Sequence, residues 1–153
     1  MMHQPSAAAI PAPRAKQLRR PLVLCIDDDP DITLSIEKVL SNFEVEVIRC
    51  IHGQQGIWDA VSRHPDLIIT DLRMPYGNGE DLIACLRRNG RTRSIPIIVL
   101  SGQRGAHLEG RMKHMGADVF LRKPVPIATL LMMIGKYIEL RELDHAFSVA
   151  TAI

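Results

Sequence analysis

The chain has 153 residues, 46% of them hydrophobic and only 4% aromatic, and its formal net charge is +2. This length predicts one domain with an aliphatic core, and the small charge does not indicate direct nucleic-acid binding. No apolar run reaches the roughly 18 residues of a membrane span, and three cysteines without CxxC spacing favour a reduced, cytoplasmic protein over a disulfide scaffold.

Short apolar runs alternate with segments of helical periodicity from residue 21 to residue 143. Residues 1–20, which are rich in alanine and proline and contain a basic cluster, predict a flexible tail. We expect strands at 22–26, from 45 onward, and at 67–70, 95–100 and 119–121. We expect helices from about 30, and over 53–64, 79–88, 104–115 and 126–143. Residues 144–153 predict a short C-terminal tail.

Local residues support several of these helices. Asp29 followed by Pro30 is typical of a helix start, as N-cap and first helical residue. Gly116 is typical of a helix end. In the second helix we expect Ala60 to face inward and Trp58 to be partly buried.

Strands that alternate with helices of this length indicate a parallel sheet with right-handed crossovers and helices on both faces. Five such units predict an α/β fold with a doubly wound, five-stranded parallel sheet of the flavodoxin-like type. All strands of such a sheet end at one edge, where open α/β sheets bind their ligands.

Four of the apolar runs end in polar groups that suit phosphoryl chemistry. Asp27 and Asp28 follow the first strand and Asp71 follows the third, while Ser101 and Lys123 follow the fourth and fifth. Clustered carboxylates must bind protons or a cation, and carboxylate oxygens suit Mg²⁺. A carboxylate nucleophile at Asp71, with a lysine and a hydroxyl nearby, has the groups needed to accept a phosphoryl group.

These motifs resemble the receiver domains of two-component response regulators, which are common in bacterial signalling, and the resemblance covers about residues 20–143. It rests on the acidic pair Asp27-Asp28, on Asp71-Leu72-Arg73-Met74-Pro75 followed by Gly79, on Ser101, on Phe120, and on Lys123-Pro124. The resemblance implies a receiver that takes a phosphoryl group onto Asp71 from a histidine kinase or histidine phosphotransfer protein, in a Mg²⁺-dependent reaction.

The resemblance also implies a role for each residue. Mg²⁺ is then held by Asp28, Asp71 and the backbone carbonyl of Arg73, with Asp27 reaching it through water. Ser101 and Phe120 are then the switch residues that report the phosphoryl state, and Lys123 contacts the phosphate. Phe120 lacks the hydroxyl of the tyrosine frequent at its position. Arg73 and Gln103 occupy positions that, in the family, tune the lifetime of the phosphoryl group. The resemblance therefore does not predict that lifetime for this chain.

The last predicted helix contains an apolar stripe beyond its core-facing residues. Met133, Tyr137 and Leu140 form this stripe, which we expect to be an output surface for a downstream protein or a homodimer. In receivers that surface is the face formed by the fourth helix, fifth strand and last helix. We expect no direct contact with nucleic acid.

Other functions remain as alternatives. The chain could be a flavodoxin-like interaction module that is not phosphorylated, or the receiver fragment of a longer regulator. A phosphatase with an aspartyl nucleophile usually has a second acid two residues later, where this chain has Arg73. A nucleotide or flavin site needs a glycine-rich loop after the first strand, where this chain has three aspartates.

Overall fold

The computed structural model describes residues 19–75 and 78–144, so the predicted N-terminal tail to residue 18 and most of the C-terminal tail lie outside the described residues. The strands are β1 (Leu22–Ile26), β2 (Glu46–Cys50), β3 (Leu67–Thr70), β4 (Ile97–Ser101) and β5 (Val119–Arg122). The helices are α1 (Pro30–Leu40), α2 (Gly53–Arg63), α3 (Gly79–Arg88), α4 (Leu108–Met115) and α5 (Ile127–Ile134). None of these helices, in the ranges described, is long and apolar enough to cross a membrane.

The five strands form one parallel sheet in the order β2-β1-β3-β4-β5. Every residue of β1, β3 and β4 is buried, as expected for inner strands covered by helices on both faces. The edge strand β2 exposes Glu46 and Arg49. The doubly wound, flavodoxin-like fold is therefore confirmed.

Alternate side chains of each strand enter two separate core layers. One layer contains Leu24 and Ile68 and is covered by α2, α3 and α4. The other contains Val23 and Ile69 and is covered by α1 and α5. Because both faces are sealed in this way, ligands have access to the inner strands only at the sheet's edges.

Two helices are shorter than the apolar pattern predicts. We expected the fourth helix from residue 104, but α4 begins at Leu108, after a segment that contains Gly105. We expected the last helix to reach residue 143, but α5 ends at Ile134 and is followed by Gly135. Both differences have the same physical reason, because glycine has a low helix propensity and no side chain that could favour the helix by packing.

The segment after α5 folds back onto the connection between α1 and β2. Phe43 and Glu142 form an antiparallel bridge. The amide of Glu44 donates to the carbonyl of Arg141 at 2.8 Å, and that of Leu143 donates to the carbonyl of Asn42 at 2.8 Å. These tertiary hydrogen bonds replace the helical ones that the apolar periodicity suggested.

The inward face of α2 is set by its smallest residues. Gly56 and Ala60 are buried, and a Cβ placed on Gly56 would collide with the side chain of Ile26, whose Cγ1 atom would be 2.8 Å away. Trp58 lies midway between them in sequence and therefore points away from the sheet. It is 68% exposed, so the expectation that Trp58 is partly buried was wrong.

We predict that Gly56→Ala lowers the free energy of unfolding by about 1–3 kcal/mol, because Ile26 is enclosed on all sides and cannot move aside. The matched control is Gly110→Ala in α4, where a Cβ would meet nothing within 4 Å. That substitution should raise the free energy of unfolding by about 0.5–1 kcal/mol through helix propensity. Urea unfolding followed by circular dichroism measures both, and an equal effect of the two substitutions would contradict the packing argument.

Candidate functional site

The carboxyl ends of β1 and β3 place two aspartates side by side. Asp27 directly follows β1, and its amide donates to the carbonyl of Cys50 at 3.0 Å. Asp71 directly follows β3, and its amide donates to the carbonyl of Ile26, also at 3.0 Å. The sheet's own hydrogen bonding thus extends to both residues and fixes their backbones.

Asp27, Asp28 and Asp71 form an acidic cluster in which one carboxylate oxygen of each residue lies within 4.8 Å of those of the other two. Asp27 and Asp71 are only 4% and 8% exposed, whereas Asp28 is exposed at the mouth of the cluster. The structure therefore brings together the three carboxylates that we predicted from the strand ends.

Lys123 brings a positive charge to this cluster from the end of β5. Its Nζ atom is 2.7 Å from Oδ2 of Asp27 and 3.7 Å from Oδ2 of Asp71. Its amide donates to the carbonyl of Ser101 at 3.0 Å, and the Lys123–Pro124 peptide bond is cis. Three carboxylates and one ammonium group leave two net negative charges, which suits a divalent cation.

Burial raises the pKa of Asp27 above its ordinary value, because the charged carboxylate loses hydration. The hydrogen bonds from Lys123 and from the amide of Asp29 act in the opposite direction, and the charge of Asp71 adds to the increase. Lys123 alone therefore does not compensate for the burial of this carboxylate. A cation bound beside it would favour the ionised form further.

The loop after β3 orients Asp71 asymmetrically. Oδ1 of Asp71 accepts a hydrogen bond of 2.7 Å from the amide of Leu72, while Oδ2 faces Lys123. Gly79 closes the loop, since its amide donates to the carbonyl of Leu72 at 2.9 Å. A Cβ on Gly79 would be 2.6 Å from the carbonyl oxygen of Asp71, so only glycine fits there.

Ser101 and Phe120 occupy buried positions near this edge. Ser101 is the last residue of β4, and its Oγ accepts a hydrogen bond of 3.2 Å from the amide of Gln103. Phe120 is buried in the core layer under α4, so its ring points inward. Arg73 is exposed, and the cation contact of its carbonyl stays a prediction.

The three residues of the expected output surface do not form one helical stripe, because α5 ends at Ile134. Met133 and Leu140 are partly buried against the core layer under α5. Tyr137 lies in the turn after the helix and is 37% exposed. Of the three side chains, Tyr137 is therefore the one that offers most surface to a partner.

Sequence reasoning missed the backbone groups that orient the carboxylates. The amide of Asp29 donates to Oδ1 of Asp27 at 2.9 Å, as that of Leu72 does to Asp71. Every residue except proline has such an amide, so no sequence signal could have identified these two donors.

Comparisons with known proteins point to one family. The family model described as response regulator receiver domain matches residues 23–135. The transcriptional regulatory protein PrrA of Mycobacterium leprae is 31% identical over 121 residues, a match that covers 79% of this chain and 51% of PrrA. The chain thus spans about half the length of that relative.

Two further matches cover most of the other protein as well. Protein PilG of Pseudomonas aeruginosa is 29% identical over 116 residues, which are 76% of this chain and 86% of PilG. The crystal structure of a response regulator from Desulfuromonas acetoxidans is 33% identical with a TM-score of 0.69, and the match covers 76% of this chain and 94% of that one.

We predict that Asp28→Asn raises the free energy of unfolding of the metal-free protein by up to about 1 kcal/mol, and with it the melting temperature. The reason is that the substitution removes one of three mutually repelling charges. The same substitution should reduce the increase in melting temperature that Mg²⁺ produces. Circular dichroism melts with and without MgCl₂ measure both effects. Glu142→Gln, which neutralises an exposed acid outside the cluster, is the control, and a full-sized Mg²⁺ effect in Asp28→Asn would rule out Asp28 as a ligand.

Proposed function

Because this chain belongs to the receiver-domain family of response regulators, we propose that it is a phosphorylation-controlled switch whose phosphoacceptor is Asp71. The main support is the convergence of Asp27, Asp28 and Asp71 with Lys123 at the carboxyl edge of the sheet. Burial of carboxylates costs hydration, so this cluster beside a lysine favours phosphoryl chemistry over an interaction module that is not phosphorylated.

The proposed reaction is transfer of a phosphoryl group from a phosphohistidine. A carboxylate oxygen of Asp71 attacks the phosphorus, the P–N bond to the donor imidazole breaks, and an acyl phosphate forms. The imidazole leaves with the electron pair of that bond. Lys123, whose Nζ lies 3.7 Å from Oδ2 of Asp71, is placed to pair with an oxygen of the new phosphoryl group.

The proposed cofactor is Mg²⁺, held by Asp28, Asp71 and the backbone carbonyl of Arg73, with Asp27 bound through water. The cation would neutralise charge on the transferring phosphoryl oxygens. The two net negative charges of the cluster and the exposure of Asp28 support this assignment, since Mg²⁺ keeps several waters when it binds.

We further propose that Ser101 and Phe120 couple phosphorylation to the protein surface. The hydroxyl of Ser101 would leave the amide of Gln103 and bind a phosphoryl oxygen, which favours one of two existing arrangements of the segment between β4 and α4. With the ring of Phe120 inward, the face of α4, β5 and α5 would then bind its partner through Tyr137. Coupling of this kind changes partner affinity by about 1–3 kcal/mol.

The proposed partners are a histidine kinase or histidine phosphotransfer protein upstream, and downstream a protein or a second copy of this chain. This applies equally to a receiver that acts alone and to one that is part of a longer regulator, such as PrrA. The reaction proposed at Asp71 is the same in both cases.

We predict that a small-molecule donor such as acetyl phosphate adds one phosphoryl group to the protein when Mg²⁺ is present. Asp71→Asn should abolish the addition, because the amide nitrogen is no nucleophile towards phosphorus. Intact mass spectrometry measures the product. Asp31→Asn, which changes an exposed aspartate of α1, should label normally. Undiminished labelling of Asp71→Asn would refute the assignment.

We predict that Ser101→Ala still accepts the phosphoryl group but transmits its effect less well. Size-exclusion chromatography with and without beryllofluoride, a mimic of the phosphoryl group, should show a mimic-dependent association in the unchanged protein. This dependence should be smaller in Ser101→Ala, since no hydroxyl binds the phosphoryl oxygen.

Tyr137→Asp tests the output face in the same experiment. It should weaken the association while labelling of Asp71 stays normal. If Ser101→Ala depends on beryllofluoride as strongly as the unchanged protein does, the proposed coupling residue is wrong. If Tyr137→Asp associates as strongly as the unchanged protein, the proposed surface is wrong.

A further inference from the structure

The end of α3 and the connection that leads from it to β4 are strongly basic. Residues 87–93 include four arginines and no acidic residue. Arg88, Arg91 and Arg93 are exposed, and none of them forms an ion pair with an acidic group in the described ranges. By contrast, six other arginines do form such pairs, namely Arg19, Arg49, Arg63, Arg87, Arg111 and Arg141. We call Arg88, Arg91 and Arg93 the basic turn.

The backbone of the basic turn is held by several hydrogen bonds. The hydroxyl of Thr92, a fully buried residue, donates to the carbonyl of Leu86 at 2.8 Å. The amide of Arg91 donates to Oδ1 of Asn89 at 2.9 Å, and the amide of Arg93 donates to the carbonyl of Asn89 at 2.9 Å. A loop fixed in this way loses little conformational freedom when it binds a partner.

Arg87 strengthens this arrangement from within. Its Nη1 atom donates to the carbonyls of Arg93 at 3.1 Å and of Ile95 at 2.8 Å. Its Nε atom donates to the carbonyl of Gly116 at 2.9 Å, and its charge is paired with Asp118 at 3.1 Å. The guanidinium group of Arg87 is therefore bound within the fold by hydrogen bonds and an ion pair, whereas the three arginines of the basic turn form no ion pair in the described ranges.

Acidic residues limit the positive surface on both sides. The turn precedes β4, whose neighbours in the sheet are β3 and β5. Asp66 precedes β3 and accepts from the amide of Leu22 and from Arg19. Asp118 precedes β5 and accepts from the amide of Ile97 and from Arg87. Between Asp66 and Asp118, the excess positive charge at the amino edge of the sheet is therefore that of the basic turn.

We propose that the basic turn binds a short acidic peptide segment of a partner protein. Guanidinium groups form paired hydrogen bonds with carboxylates, and three of them on a fixed turn can engage neighbouring acidic side chains. A nucleic acid fits less well, because its extended phosphate backbone would also approach Asp66 and Asp118. The turn lies at the edge opposite Asp71, so this contact leaves the phosphorylation site accessible and does not depend on it.

Fluorescence anisotropy with a labelled oligoglutamate peptide tests the proposal on the full chain. Changing Arg88, Arg91 and Arg93 together to glutamine should weaken peptide binding about tenfold or more, and added salt should weaken binding to the unchanged protein. The matched control changes Lys38, Arg104 and Arg122 to glutamine. These basic residues are exposed and form no ion pair in the described part of the chain, and the control has the same net charge.

Circular dichroism first establishes that both variants are folded. A loss of binding confined to the basic-turn variant supports the proposal. An equal loss in both variants would show that only net charge matters, and no binding to the unchanged protein would also overturn the proposal. Tighter binding of a single-stranded oligonucleotide with the same number of charges would identify a nucleic-acid surface instead.

Discussion

The burial of like charges at the end of a parallel sheet is the constraint on which the rest of this structure depends. Asp27 and Asp71 are nearly enclosed, yet they lie beside each other and beside Asp28. Such a cluster is tolerated because Lys123 reaches it from β5 and because backbone amides donate to the carboxylates. The order of the strands makes the cluster possible, since β1 and β3 are adjacent inner strands and place both aspartates within reach of one lysine.

Much of the fold and of the site could be predicted because each depends on a periodic or a positional signal. Buried parallel strands are continuous apolar runs, and the polar residues that follow them must meet at one edge, so Asp27, Asp71 and Lys123 were recognisable. The end of α5 was not, since the apolar residues continue past Gly135 and the segment then bonds to Asn42 and Glu44. The exposure of Trp58 was missed for a similar reason, because it depends on the close contact of Gly56 with Ile26.

The two edges of the sheet differ in how they use charge. At the carboxyl edge three acidic groups lie close together, two of them buried, and their charge is incompletely compensated, which favours a cation. At the amino edge Asp66 and Asp118 are each used to bind backbone amides and an arginine. The exposed arginines of the basic turn, at the end of α3 and before β4, give that edge an uncompensated positive charge. The proposed phosphoryl transfer and the proposed peptide contact therefore lie at opposite ends of the same strands.

The outward position of Trp58 has an optical consequence. It is the chain's single tryptophan, and its indole is already in contact with water in the folded protein. Unfolding therefore changes the polarity around the ring very little, and the wavelength of its emission is a poor indicator of the folded fraction. A quencher dissolved in water reaches the indole in the native state, so fluorescence reports the surroundings of α2's outer face rather than events at Asp71.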